Sequence, residues 1–272
     1  MSSIVTQQGI LHYEVMGRGR PLLLLHGWLE SWRIWHDTME FLSNQYRTYA
    51  LDFWGFGESD TERTAYRVDD FVEMVHYFME HLGIRRAPIV GHSMGGTVAL
   101  ALAIRYPEKV SRVAVIGSPI VGSSLAWFLR LAGIPWVGRL IHRFSWLLKW
   151  GVQVVFPLIT PDPLWPERLQ EDLSQTDLVA FFESIGSLRE VDLRPDLPKI
   201  QAPVLGVYGA RDPIVDPNQW LVLKQGVLHA QIERPLTAGH FPMLEIPASF
   251  NLMLQRFLSA EDEALLVGRN GE

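Results

Sequence analysis

The stretch "VGHSMGG", Val90 to Gly96, decides how this chain is read. An apolar run, "APIV", stops at a serine that has glycine two residues before it and two residues after it. A strand that turns sharply into a helix forces its turn residue into a strained conformation, and Gly91 and Gly95 leave room for the two elements to approach. Ser93 is then held out on the turn, above the carboxyl ends of the strands, where open α/β sheets place ligands. The amide of Met94 opens the following helix, unpaired within it and at the positive end of its dipole. Ser93 therefore reads as a nucleophile and the Met94 N–H as half of an oxyanion hole.

A serine hydroxyl needs a base to take its proton, and the base needs an orienting acid. His240, in "AGHFPMLE", follows the last apolar run and a glycine, which suits a loop reaching back over a sheet. Asp212, in "YGARDPIVD", directly follows the preceding run, giving the chain order serine, acid, histidine. The second oxyanion donor is expected after "LLLLHGW", where His26 and Gly27 shape the turn, the Trp28 amide donates and its indole covers the pocket. His92 adjoins Ser93 but points another way on the turn, so it reads as packing or support. Asp216 reads as a turn or helix-start residue. Ser118, after "VAVIG", offers no alternative acid. His12, His36, His76, His81, His142 and His229 read as structural or surface residues.

Working outward, short apolar runs alternate with helical patterns, as in a largely parallel sheet covered by helices. Ile4 to Val15 suggests an opening antiparallel hairpin. Pro21–Gly27, Arg47–Gly55, Ala87–Ser93 and Arg112–Pro119 read as buried strands. Trp35–Ser43, Val68–Leu82 and Gly95–Arg105 read as helices. The rhythm resumes at Ala202–Asp212 and Gln231–His240, and a helix over Pro247–Leu258 closes the chain, with the last dozen residues expected to fray. Between these blocks, residues 120–195 are rich in Trp, Leu and Phe and are broken by Pro135, Pro157, Pro161, Pro163 and Pro166. They read as a helical cap inserted into a core made of residues 1–119 and 196–272.

The 272 residues contain no cysteine, which excludes disulfides, thiolate metal sites and a cysteine nucleophile. No H-E-x-x-H or comparable spacing suggests a metal, and no cofactor is implied. A net charge of −6 gives no reason to expect nucleic acid. The N-terminus lacks a basic start followed by a long apolar run, so a cytoplasmic protein is expected. No feature specifies an oligomeric state.

From "LLLLHGWLESWRIW" through "LDFWGFGESD" and "GHSMGG" to "YGARDPIV" and "AGHFPMLEIP", the chain resembles the α/β-hydrolase superfamily, in its capped, serine-nucleophile, esterase- and lipase-like branch. The resemblance implies Ser93 as nucleophile, Asp212 as orienting acid and His240 as base. It implies that "DFWGFGES" forms a loop near the elbow, with Gly55 and Gly57 in turns and Asp52 structural. Relatives that dehalogenate or open epoxides commonly carry aspartate at the elbow, and serine argues against both activities. The expected activity is hydrolysis of an ester with an apolar acyl or alcohol part. Cleavage of a carbon–carbon bond in a vinylogous diketone is the enzymatic rival, and a ligand-binding or accessory protein that does not turn over is the alternative of another class. The stretch Ser123–Thr160 has Arg130, Arg139, Arg143 and Lys149 but no acidic residue, with tryptophans at 127, 136, 146 and 150. Its apolar residues read first as the cap's own packing. The sharper reading is a lid that contacts a membrane surface transiently and leaves the protein peripheral to it.

Overall fold

The computed structural model describes residues 2–6, 9–61, 65–134, 171–172 and 174–269, the last ten of these as helical backbone alone. Among them the apolar runs become β1 (Ser2–Thr6), β2 (Gly9–Gly17), β3 (Arg20–Leu25), β4 (Tyr46–Leu51), β5 (Ala87–His92), β6 (Val110–Ile116), β7 (Val204–Val207) and β8 (Gln231–Glu233). They form one sheet in the order β1-β2-β4-β3-β5-β6-β7-β8. β1 and β2 form the expected antiparallel hairpin, β2 pairs antiparallel with β4, and every later pairing is parallel.

Strands in such a sheet are covered on both faces, which explains why they read as continuous apolar runs. Successive side chains point to opposite faces. Leu23, Leu25, Ile89, Val113 and Val115 share one core with Phe71, Val75 and Phe78 of α2 (Val68–His81) and Val98 and Leu102 of α3 (Met94–Arg105). Leu22, Leu24, Val90, Ala114 and Ile116 share the other with Met39 and Leu42 of α1 (His36–Leu42) and with Phe250, Leu254 and Phe257. Each fully buried leucine of this kind contributes roughly 1.5–3 kcal/mol of transfer free energy.

After β6 the chain leaves the core. α4 (Trp127–Ala132) packs against α5 (Leu178–Glu190), and Gly133 and Gly186 let their backbones close to near contact. The bridge Val121↔Asp192 joins the two ends of this region to each other, and Leu125↔Val215 ties it to the segment after β7. Trp136, Trp146, Trp150, Arg139, Arg143, Lys149, His142 and the prolines between 135 and 166 lie outside the described residues.

Two expectations are corrected. The closing helix runs from Pro247 to Arg269 instead of ending at Leu258 with a frayed tail, because "SAEDEALL" consists largely of strong helix formers and no glycine or proline intervenes before Gly268. The last strand stops at Glu233; Pro235 follows, lacking the N–H a ladder needs, and residues up to His240 form a loop.

Candidate active site

β5 ends at His92, and α3 starts at Met94 with no intervening loop, so Ser93 alone makes the turn. Its φ of 49° and ψ of −118° place a non-glycine residue in a region that costs on the order of 1–3 kcal/mol. The glycines show how the turn is enforced. A Cβ on Gly91 would lie 2.3 Å from the Gly95 carbonyl oxygen, and one on Gly95 would lie 2.4 Å from the carbonyl oxygens of both Leu25 and His26. The third glycine, Gly96, sits where a Cβ would overlap the Ser118 hydroxyl. The Ser93 N–H donates to Ile116 O at 2.8 Å, and Ser93 O accepts from Gly96 and Thr97.

Asp212 and His240 lie on neighbouring loops at the carboxyl ends of β7 and β8. Arg211 N–H donates to Ala238 O and Ala210 N–H to Pro235 O, and Gly209 allows the backbones to touch. His240 Nδ1 is 2.7 Å from Asp212 Oδ2, and both side chains are almost fully buried. The other carboxylate oxygen of Asp212 accepts from Ile214 N–H at 2.8 Å and Val215 N–H at 2.9 Å. This carboxylate is therefore fixed, and Nδ1 is the nitrogen of His240 that donates to it. The Gly117 α-carbon approaches the ring closely: a Cβ there would lie 3.1 Å from Nδ1.

The loop after β3 carries Trp28. His26 Nε2 accepts from Phe53 N–H at 2.9 Å, so Nδ1 bears the proton and donates to Gly27 O at 2.6 Å. Complete burial keeps this imidazole neutral, lowering its pKa against the opposing pull of Asp52 and the Gly27 carbonyl. The Gly27 N–H donates to Glu30 Oε2 at 2.6 Å, and Leu29 adopts a φ of 64°. The Trp28 indole N–H donates to Phe181 O of α5 at 2.9 Å, with the two rings 4.3 Å apart, so this loop is bonded to α5.

The structure thus brings Asp212 and His240 together and sets His240 next to the elbow, its ring 4.7 Å from that of His92. His92 is wholly buried: Nδ1 faces the Glu30 carboxylate at 2.8 Å, and Nε2 donates to His240 O at 2.9 Å. Burial disfavours its charged form, but the Glu30 carboxylate and the His240 carbonyl outweigh that and raise its pKa. Asp52 is structural, accepting from Trp32 and Glu58 N–H and bonding His12. Asp216 caps a turn through Asn218 N–H.

Two carboxylates were not singled out from the sequence. Glu30 joins the loop after β3 to His92, and Glu245 accepts from the N–H groups of both Gly239 and Phe241, clasping the backbone around His240 at 2.5 and 2.9 Å. Their only signal is position, each a few residues beyond an assigned site residue in an apolar segment. Asp172 was missed as well. Burial pushes its carboxyl up to about 7 against the pull of Ser31 and Arg33, and Arg33 also bridges Glu58 and Glu171, docking this part of the chain beside the loop after β3. Among the described residues, no group of three or more His, Cys, Asp or Glu side chains could hold a metal ion.

Residues 20–141 match the family model described as alpha/beta hydrolase fold. The enol-lactonase from Burkholderia xenovorans LB400 superposes with a TM-score of 0.83 at 22% identity, over 95% of this chain and 100% of that one. The chain has the α/β-hydrolase fold. Among curated relatives, 3-oxoadipate enol-lactonase 2 of Acinetobacter baylyi is 29% identical over 92% of this chain and 93% of its own length. Pimeloyl-[acyl-carrier protein] methyl ester esterase of Aliivibrio salmonicida is 27% identical over 94% of this chain and 98% of its own. These relatives support a hydrolase.

Proposed function

We propose that the protein is a serine hydrolase of the carboxylesterase type, cleaving an ester with an apolar acyl or alcohol part through Ser93, His240 and Asp212. The observation that carries this is the 2.7 Å contact of His240 Nδ1 with a carboxylate whose other oxygen is held by two amides, on a loop beside the strained serine turn. Asp212 fixes the tautomer in which His240 Nε2 is free to accept the serine proton. Ser93 then attacks the ester carbonyl, the Met94 and Trp28 amides receive the oxyanion, and His240 returns the proton to the departing alcohol. Water, activated by the same histidine, releases the acid.

Two curated relatives aligned over more than nine-tenths of this chain are named for a lactone and a methyl ester, which favours an ester over a carbon–carbon bond. A series of p-nitrophenyl esters from short to long chains tests the reading. Steady turnover favouring medium or long chains, abolished in Ser93→Ala together with fluorophosphonate labelling, is the expected result. Labelling that survives Ser93→Ala removes Ser93 as nucleophile, and labelling of Ser93 without turnover moves the reading to a carbon–carbon substrate or a receptor.

The cap's contact with a membrane surface is the second part of the proposal. Trp127 is 67% exposed, and Phe128, Leu131 and Val179 are exposed near it, with Arg130 on the same helix. Among the described residues, no helix is long and apolar enough to cross a membrane.

A further inference from the structure

Glu30 is a carboxylate buried to 3% exposure, far from solvent and outside the three residues assigned to the chemistry. Glutamate is almost never buried this deeply unless it is paired. Its partners come from two separate parts of the site. One is the Gly27 N–H, 2.6 Å away, on the loop whose next amide is the proposed oxyanion donor Trp28. The other is His92 Nδ1, 2.8 Å away, on the residue before the nucleophile. A Cβ on Gly27 would come within 2.7 Å of this carboxylate, so the glycine is the residue that lets Glu30 close on the loop.

His92 continues the connection. A carbonyl oxygen only accepts, so the 2.9 Å contact with His240 O requires a proton on His92 Nε2. The backbone of the base is thereby held by the ring that the Glu30 carboxylate orients. A single line of hydrogen bonds runs from the oxyanion loop, through Glu30 and His92, to His240. Neither end of this line is otherwise joined to the other in sequence: Glu30 and His92 are 62 residues apart, and His92 and His240 are 148 apart.

We propose that Glu30 is a positioning residue: with His92 it holds the oxyanion loop and the base loop in one frame, so that the oxyanion donors and His240 keep a fixed spacing around Ser93. The proposal rests on the serine-hydrolase reading above. Misplacing a reacting group by about 1 Å costs on the order of 10²-fold in rate, and the loss falls on kcat because substrate contacts with the cap are untouched.

The test compares Glu30→Gln and Glu30→Ala in the full chain, measuring kcat and KM on the best p-nitrophenyl ester together with thermal unfolding. In Glu30→Gln the amide oxygen accepts from Gly27, the amide N–H donates to His92 Nδ1, and Nε2–H still reaches His240 O. The line survives, and kcat within about fivefold of wild type is expected. Glu30→Ala removes the bonds to both Gly27 and His92 and so breaks the line in the middle, and a loss of roughly 10- to 100-fold in kcat with KM within about twofold is expected. Unchanged kcat in a folded Glu30→Ala protein overturns the proposal, as does a Gln variant as impaired as the Ala variant. If Glu30→Ala does not fold, Glu30→Asp decides: its shorter side chain cannot reach both partners, so unchanged kcat there also overturns the proposal. Fluorophosphonate labelling of the wild-type protein at Ser93 separates the two readings, since its absence defeats the serine mechanism whatever Glu30 does.

Discussion

Replacing Asp212 by asparagine isolates the orienting step proposed for it, because its two oxygens have separate partners. Oδ1 accepts from Ile214 and Val215 N–H, and an asparagine oxygen can keep both bonds, so the loop stays in place. The amide nitrogen then occupies the position of Oδ2, 2.7 Å from His240 Nδ1. Two N–H groups cannot face each other there, so Nδ1 becomes the acceptor and the ring proton moves to Nε2, the nitrogen that the proposed mechanism needs free to receive the serine proton. The fold is preserved while the reactive tautomer is lost, and kcat is expected to fall on the order of 10⁴-fold. That is a barrier increase of about 5.5 kcal/mol. Turnover of the best p-nitrophenyl ester and the second-order rate of fluorophosphonate labelling should fall together, with thermal unfolding close to wild type. An Asp212→Asn protein that is correctly folded and within tenfold of wild-type kcat would refute the reasoning, and a carboxylate other than Asp212 would then have to orient His240.

Gly95→Ala places a methyl group 2.4 Å from the backbone oxygens of Leu25 and His26, which cannot rotate away. A destabilisation of about 1–3 kcal/mol with greatly reduced labelling of Ser93 is expected, and an alanine variant with normal melting and activity would mean that the elbow does not pack on β3. Asp172 titrates from 3.8 in the unfolded chain to about 7 in the folded one, so the folded state binds more protons through this window and stability falls as pH rises across it. Asp172→Asn should therefore raise the melting temperature at pH 8 well above any gain at pH 5, relieving a penalty of up to about 4 kcal/mol; an equal shift at both pH values contradicts a buried, ionising carboxyl. Finally, the wild-type protein should co-sediment with vesicles containing anionic phospholipid, and Trp127→Ser with Leu131→Ser should weaken this severalfold. Failure of the wild type to sediment ends the membrane-surface proposal.

What the sequence by itself determined is local in origin. Unbroken apolar runs marked strands buried on both faces, and helical spacing of Phe71, Val75 and Phe78 marked α2. The Gly-x-Ser-x-Gly turn was legible because its strained serine and its glycines all fall within seven residues, Val90 to Gly96, whereas the contacts that require Gly95 and Gly96, with Leu25, His26 and Ser118, exist only in the folded chain. Asp212 and His240 were legible as residues that follow strands, although their contact spans 28 residues. The tertiary structure alone decided the work of Glu30, Glu245 and Asp172, because an acidic residue in sequence reads as a solvated charge. Its role as a buried acceptor exists only once distant amides and imidazoles have been folded around it. It also joined Trp28 to Phe181 across 153 residues, linking the loop after β3 to α5 through an indole N–H that no sequence period specifies. Periodicity arises from neighbours along the chain and can be read there, whereas a buried polar network is defined by partners that only chain closure brings within hydrogen-bond distance.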